Sequence, residues 1–538
     1  MFEIREVDVL PEVEPALEPK SYAKRLVKGG AIVFVAFIAS EIIGLFLRMF
    51  LARSLITNDI ALGKEEGYHF GLFYAVFTFI SFFILFRDLG LGSALGKYIP
   101  EFTVRKQFAE IKSSIALTLL VETAFGFIVS AALFLFSDQI ALTIFGTLDA
   151  SLPLRILSIW FFVAMLYTLM QTTFQGFQNM PAYASVSVFS ILSVLLLAML
   201  FVGVLGLGVG GVALAYLLAA AVIGFYSLIF FIKRYPHVFQ EKASVTKPLL
   251  KKLFVFALPL LVGAAAGLIL SYTDTLMITI FRTLPEVGFY QAAQPTARML
   301  WYIPLALTVI LFPMISELWA RRKRALMGKM IHFLIKFSFI IIMPIAFIFI
   351  AFPEIVINLL YGPSYLPGTI ALQILAVTAI VYTPFIIFAE VMKGIGRPVI
   401  LMKVVGLMAC LNIVGNLALI PPYGIGGAAV ATFAAHLLGL LLLAYYSRKL
   451  IEFSVPLSSL LKTLVGGTLT LLLIFSLKFI LVLSPWLEAF AVTIPGLLFY
   501  GVWILATKAI TRDDLNLINE IVPMPWWITR LARRLVGE

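Results

Sequence analysis

The sequence predicts an all-α polytopic membrane protein of fourteen transmembrane helices, arranged as two parallel six-helix repeats followed by an extra C-terminal pair. Three observations carry that expectation. Of 538 residues, 62% are hydrophobic and only 13% are charged, which suits a chain dissolved in lipid and leaves little material for a soluble domain. Runs of about 20 apolar residues, the length that crosses a bilayer core, recur along the whole chain. A glycine-rich segment at the start of one run also returns at the start of another, in register with further matches.

The runs fall near residues 29–52, 70–93, 112–136, 152–173, 183–203, 209–232, 252–280, 291–316, 331–352, 367–389, 398–420, 425–447, 461–483 and 487–508. Residues 1–20 precede them, with Glu12, Glu14 and Glu18 interleaved with Pro11, Pro15 and Pro19. That composition reads as a disordered cytoplasmic tail rather than a cleavable signal. Basic residues then mark the topology. Lys20, Lys24, Arg25 and Lys28 stand before the first run, and Arg105, Lys106, the stretch 233–252 and the Arg321 to Arg324 cluster occupy alternate loops. The opposite side has Arg53, Lys64 and Arg282. By the positive-inside rule both termini are cytoplasmic in a multi-pass protein of the cell (plasma) membrane, and the net charge of +12 calls for no nucleic-acid partner.

The internal matches set the domain organisation. Gly208-Val-Gly-Gly-Val-Ala-Leu-Ala recurs as Gly424-Ile-Gly-Gly-Ala-Ala-Val-Ala. Near the same offset, Phe145-Gly146 matches Tyr361-Gly362, Arg155-Ile-Leu matches Gln373-Ile-Leu, Gly176 and Pro181 match Gly394 and Pro398, and Phe73-Tyr74 matches Phe289-Tyr290. Residues 21–234 and 248–449 are therefore read as the two repeats, joined by a cytoplasmic linker at 235–247. Residues 450–510 supply the extra pair. Residues 511–538, where Pro523-Met-Pro-Trp-Trp precedes Arg530, Arg533 and Arg534, read as an interfacial amphipathic tail on membrane lipid. An even number of spans gives the repeats one orientation, and such repeats meet around a central site and rock against each other.

Several functions are excluded at this level. The glycine-rich segments follow no strand, so they read as helix-packing positions rather than a dinucleotide loop. No phosphate-cradling Walker sequence is present. His69, His237, His332 and His436 have no ligand spacing, and Cys410 stands alone, so no metal, cofactor or catalytic group is expected. His436 reads as a packed, hydrogen-bonded histidine.

Charges inside the runs are the informative residues, because one at a bilayer centre costs about 2.5–3.5 kcal/mol and must face inward. Glu41 and Arg48 share one face of the first run, about 10 Å apart along the axis. Glu41, Glu122 and Arg298 fall near mid-membrane, Arg48, Arg155 and Asp274 toward the outside, and Arg87 and Asp88 toward the cytoplasm. A space lined by Arg48, Arg87, Arg155 and Arg298 suits a phosphate or pyrophosphate, which the planar guanidinium fork grips well. Glu41, Asp88, Glu122 and Asp274 are then the candidates for Na⁺ or H⁺ coupling. A plainer alternative remains: Glu41 with Arg48, and Arg87 with Asp88, as ion pairs that fix helix register.

Several segments together carry a family resemblance: Leu47-Arg48-Met-Phe-Leu-Ala-Arg53, Gly71-Leu-Phe-Tyr74, Asp88-Leu-Gly-Leu-Gly-Ser-Ala-Leu-Gly-Lys-Tyr, Asp274-Thr-Leu-Met and Val287-Gly-Phe-Tyr-Gln-Ala-Ala-Gln-Pro-Thr-Ala-Arg298. The chain resembles the polysaccharide-transporter group, the O-antigen-type flippases, of the multidrug/oligosaccharidyl-lipid/polysaccharide (MOP) superfamily. The resemblance implies a two-lobed, non-enzymatic flippase, expected as a monomer, that moves a lipid-linked oligosaccharide to the outer leaflet by alternating access. It also implies that Arg48 and Arg298 engage the lipid-linked pyrophosphate. The loop at 54–69 departs from the short turn usual there. Two other readings are a cation-coupled multidrug exporter of the same superfamily, using Glu41, Asp88 and Glu122, and a membrane glycosyltransferase or polymerase. Against the latter stand the short external loops, whose one acidic pair is Glu65-Glu66.

Overall fold

The computed structural model describes residues 19–244, 246–451, 456–481 and 485–510. Among these the backbone is almost wholly helical and contains no strand. The tail expected at 511–538, and that at 1–20 apart from its last two residues, lie outside the described residues.

The long helices run in chain order as α1 (Pro19–Ala61), α2 (Tyr68–Phe82), α3 (Leu91–Val104), α4 (Phe108–Leu135), α5 (Ser151–Gly176), α6 (Met180–Ala198) and α7 (Gly208–Arg234). They continue as α8 (Lys247–Phe281), α9 (Leu284–Arg298), α10 (Tyr302–Ala320), α11 (Arg324–Ala351), α12 (Thr369–Gly394) and α13 (Pro398–Leu450), and end with α14 (Leu457–Ile480) and α15 (Pro485–Ala506). Twelve helical segments among the described residues are long and apolar enough to cross a membrane, against an expectation of fourteen. Two expected spans, 398–420 and 425–447, lie inside α13, and a third, 291–316, is divided between α9 and α10.

Backbone chemistry explains the first of these differences. The 53 residues of α13 would reach about 80 Å as a straight rod, more than twice a bilayer core. Pro421 and Pro422 remove two backbone donors, and Gly424 takes φ 55° and ψ −135°, a conformation that demands a residue without Cβ. The helix therefore turns there into two arms. Gly208, the matching residue of the first glycine-rich segment, also has a positive φ of 54°, and it opens α7.

At its other end the chain departs from the expected loop at 54–69, because α1 continues to Ala61 with Leu51, Ala52 and Leu55 fully buried. Asp59 closes the remaining turn. Its carboxylate accepts the backbone N–H groups of Gly67 (2.8 Å) and His69 (3.0 Å) and pairs with the His69 ring. On the rim, a 3.0 Å bond to Asp149 holds the Lys64 ammonium above the usual lysine range.

Helices α1 to α7 pack mainly among themselves, as do α8 to α13, while α14 and α15 pair and lean on α11. Between the two groups the principal contact is α2 against α9. There the backbones touch. A Cβ at Gly71 would stand 1.8 Å from the Leu284 carbonyl oxygen, and one at Gly288 would stand 2.6 Å from that of Gly67. One to three turns further along the same helices, Tyr74, Thr78, Gln291, Gln294 and Arg298 line a cavity instead.

Overpacking a seam of this kind costs about 1–3 kcal/mol. Purified Gly71→Ala should therefore melt below the wild type in detergent, whereas Gly406→Ala, where the added methyl meets open space, should not. Equal melting of Gly71→Ala and wild type would contradict the described contact.

Candidate functional site

The cavity beyond the glycine seam holds about 680 Å³ and is walled by both groups of helices. Glu41 and Arg48 enter from α1, Tyr74 and Thr78 from α2, Thr275 from α8, and Gln291, Gln294 and Arg298 from α9. Trp301 and Tyr302 follow, with Tyr382 from α12 and His436 from α13. Spacing explains the α9 contribution, since residues 291, 294 and 298 fall on one helical face.

Polar contacts cross the cavity. Arg48 donates to the side-chain oxygen of Gln291 at 3.3 Å and lies 4.8 Å from the Tyr74 ring centroid. Gln291 in turn donates to Thr275 at 2.7 Å, and the Tyr302 hydroxyl donates to Glu41. No direct ion pair joins Glu41 to Arg48 among the described residues, so each is held by the opposite wall. Arg298 lies 5.4 Å from the Trp301 ring, which stacks on Tyr382 at 4.1 Å, and His436 Nδ1 donates to the Thr432 carbonyl, 2.8 Å away. That carbonyl can only accept, so Nδ1 carries the proton.

Three buried polar atoms around the cavity have no partner: Ser40 Oγ, Arg298 Nε and Trp301 Nε1. Each such group costs about 1–3 kcal/mol when left unmet. All three belong to residues that line the cavity.

The other residues singled out in the sequence lie elsewhere. Arg155 is on the exposed rim, bonded to Ser137 at 2.8 Å and paired with Asp138 at 2.7 Å, because the short helix Ser137–Ile144 folds back beside it. Arg87 is buried within the first group of helices, where it donates to the Phe161 carbonyl and to Thr168 at 3.3 Å. Glu122 sits near it electrostatically, with one carboxylate oxygen unpartnered. Asp88 pairs with neither, and instead accepts the backbone N–H groups of Gly90 (3.2 Å) and Gly92 (2.9 Å). Of the candidates, then, Glu41, Arg48 and Arg298 share the cavity and Arg87, Arg155, Asp88 and Glu122 do not.

Asp274 is the centre of a separate network with 0% exposure. Its Oδ1 accepts from Asn412 (3.0 Å) and Asn416 (2.7 Å), and its Oδ2 accepts from Tyr290 (2.6 Å) and Thr432 (2.6 Å). The Asn416 side-chain oxygen has no partner. Asn412 and Asn416 were not singled out from the sequence, although two asparagines four residues apart in an apolar run are a readable signal. Gln291, Gln294, Trp301 and Tyr302 were likewise missed as site residues.

The model of the polysaccharide biosynthesis protein family matches residues 26–319. Over 514 residues the chain is 28% identical to an uncharacterized membrane protein, MJ1068, of Methanocaldococcus jannaschii, covering 93% of this chain and 99% of that one. It is 22% identical over 284 residues to the probable low-salt glycan biosynthesis flippase Agl15 of Haloferax volcanii, covering 52% of this chain and 60% of the relative. Among solved structures, the lipid II flippase MurJ in its inward closed conformation aligns with a TM-score of 0.68 at 16% identity, over 88% of this chain and 98% of that chain. That likeness establishes the fold.

Asp274→Ala should lower the melting temperature, since it strands four buried donors at a scale of about 1–3 kcal/mol for one such group. Asp274→Asn, which preserves the shape, should lower it less. A melting temperature unchanged in Asp274→Ala would contradict the network.

Proposed function

The chain belongs to the polysaccharide biosynthesis protein family and is a multi-pass flippase or transporter of the MOP superfamily; we propose that its cargo is a lipid-linked phosphate or pyrophosphate oligosaccharide, moved from the cytoplasmic to the outer leaflet by alternating access. The observation that carries this reading is the pair of guanidiniums, Arg48 from α1 and Arg298 from α9, on the walls of one cavity. Glu41, the carboxylate in that lining, is occupied by Tyr302. The excess of positive charge favours an anionic headgroup over the cationic compound that a drug exporter would carry. The glycan-flippase relative and the family description point the same way.

In this reading residues 21–234 and 248–449 are two lobes, with 450–510 appended and both termini cytoplasmic. The shared positive φ of Gly208 and Gly424, and of Gly146 and Gly362, supports the duplication, because matched sequence positions both take the φ sign that glycine tolerates. The glycine seam closes one end of the cavity, and its parting is the motion that alternating access requires.

Asp274 is the proposed coupling site. The buried Asp274 carboxylate carries a single negative charge, and of the two amides that donate to it the Asn416 side-chain oxygen has no partner, which leaves hard oxygen donors around one charge. Such a set suits Na⁺ or a proton better than a divalent metal, and no cluster of three metal-binding acids, histidines or cysteines occurs among the described residues.

In reconstituted vesicles, Arg48→Ala and Arg298→Ala should insert normally and lose translocation of a polyprenyl-pyrophosphate-linked oligosaccharide by about 10–100-fold, the scale of one charge-assisted hydrogen bond. Wild-type translocation in both variants would overturn the reading. For coupling, Na⁺ should raise the melting temperature of the wild type relative to K⁺ and leave Asp274→Asn unmoved, while a Na⁺ response that survives the substitution would place the ion elsewhere.

A further inference from the structure

A second hollow opens beside the central cavity, within the first group of helices. It holds about 350 Å³, toward the lower end of the ~300–1,000 Å³ usual for small-molecule sites. Phe77 and Ile191 line both spaces, so the two share a wall. The proposed phosphate site makes no use of this recess. Its chemistry is also different. The central cavity presents Glu41, Arg48 and Arg298, whereas the recess contains no acidic or basic side chain and is lined instead by Trp160, Tyr167, Gln171, Ser187, Ser190 and Tyr216.

The arrangement follows from helical spacing. Residues 160, 167 and 171 fall on one face of α5, and residues 187 and 190 on the facing side of α6. In a bundle surrounded by lipid, an amide and several hydroxyls turned toward one void need a reason. They satisfy one another only in part. Gln171 donates to the Ser187 hydroxyl, and the Tyr167 and Ser190 hydroxyls are near enough to interact. The Gln171 carbonyl oxygen and the hydroxyl lone pairs keep capacity for further bonds. Opposite them, Phe77, Trp160 and Tyr216 form an aromatic corner, with centroids 5.1 Å apart for Phe77 and Trp160, 5.0 Å for Phe77 and Tyr216, and 6.1 Å for Trp160 and Tyr216.

We propose that this recess is a carbohydrate subsite, which takes a neutral sugar ring of the glycan whose phosphate lies at Arg48 and Arg298; it rests on the flippase reading given above. A pyranose offers C–H faces to aromatic rings and hydroxyls to amide and hydroxyl groups, and the recess supplies both. A phosphate would find no cation there. An alkyl chain would strand Gln171, Ser187 and Ser190 against hydrocarbon, and a metal ion would find no carboxylate. The recess also lies close to the cationic end, because Tyr216 is near enough to Arg48 for the two to interact electrostatically. A sugar attached directly to a phosphate at Arg48 therefore has the recess within its reach.

The test uses the full chain in lipid nanodiscs and two probes, a polyprenyl phosphate and the same lipid phosphate carrying one glucose. Wild type should bind the glucosylated probe more tightly. Gln171→Leu and, separately, Ser190→Ala should weaken that binding about tenfold, the scale of a lost hydrogen bond, and leave the bare lipid phosphate unchanged. Arg298→Ala should weaken both probes. Retention of the full glucose preference in both recess variants would overturn the subsite and leave the phosphate site standing. Equal weakening of both probes would also overturn it, by marking the recess side chains as structural. Failure of wild type to bind either probe would overturn the flippase reading and the subsite together.

Discussion

Gly71 and Gly288 let α2 and α9 meet through their backbones, and the geometry of the site depends on that contact. The seam sets how closely the two groups of helices approach. At that separation Arg48 reaches Gln291, and Tyr302 reaches Glu41. A methyl group on either glycine would hold the walls apart and open both bonds. The fixed seam and the hollow beyond it are consecutive stretches of the same two helices, so closure at one end and space at the other have a single cause.

Lipid supplies the second constraint. A membrane-embedded charge survives only where protein or water receives it, and the described residues divide this task among distinct places. Arg155 reaches the rim and an aspartate, Arg87 is buried against a carbonyl, and Asp274 is surrounded by neutral donors. Arg48 and Arg298 alone among the sequence-selected arginines face the shared cavity, and Arg298 retains a donor with no partner. The site is thus defined as much by what remains unsatisfied as by what is bonded.

Much of this was legible in the sequence, for physical reasons. Apolar run length marks helices that must cross lipid, and a charge inside such a run marks an inward face, which is how Glu41, Arg48 and Arg298 could be read directly. Depth counting placed Arg155 wrongly for the cavity because it had no knowledge of the short helix Ser137–Ile144 that brings Asp138 beside it. The extension of α1 was hidden by the polar composition of residues 54–69, where Asp59 replaces the missing hydrophobic signal with hydrogen bonds. Asn412, Asn416 and Thr432 carry no charge and so raised no flag, although together they hold the most buried carboxylate of the candidate set. The recess was invisible for a related reason: Trp160, Gln171 and Ser190 are ordinary residues until α5, α6 and α7 bring them around one void.

The central claim is that Arg48 and Arg298 act on one anionic group from opposite walls. A double-mutant cycle on binding of a polyprenyl pyrophosphate to Arg48→Ala, Arg298→Ala and the double variant tests it most directly. If both guanidiniums grip the same phosphate moiety, the two losses will be non-additive, with a coupling within the ~0.5–3 kcal/mol typical of residues sharing a partner. Strictly additive losses would mean that the two arginines serve separate ligands, and would contradict the account.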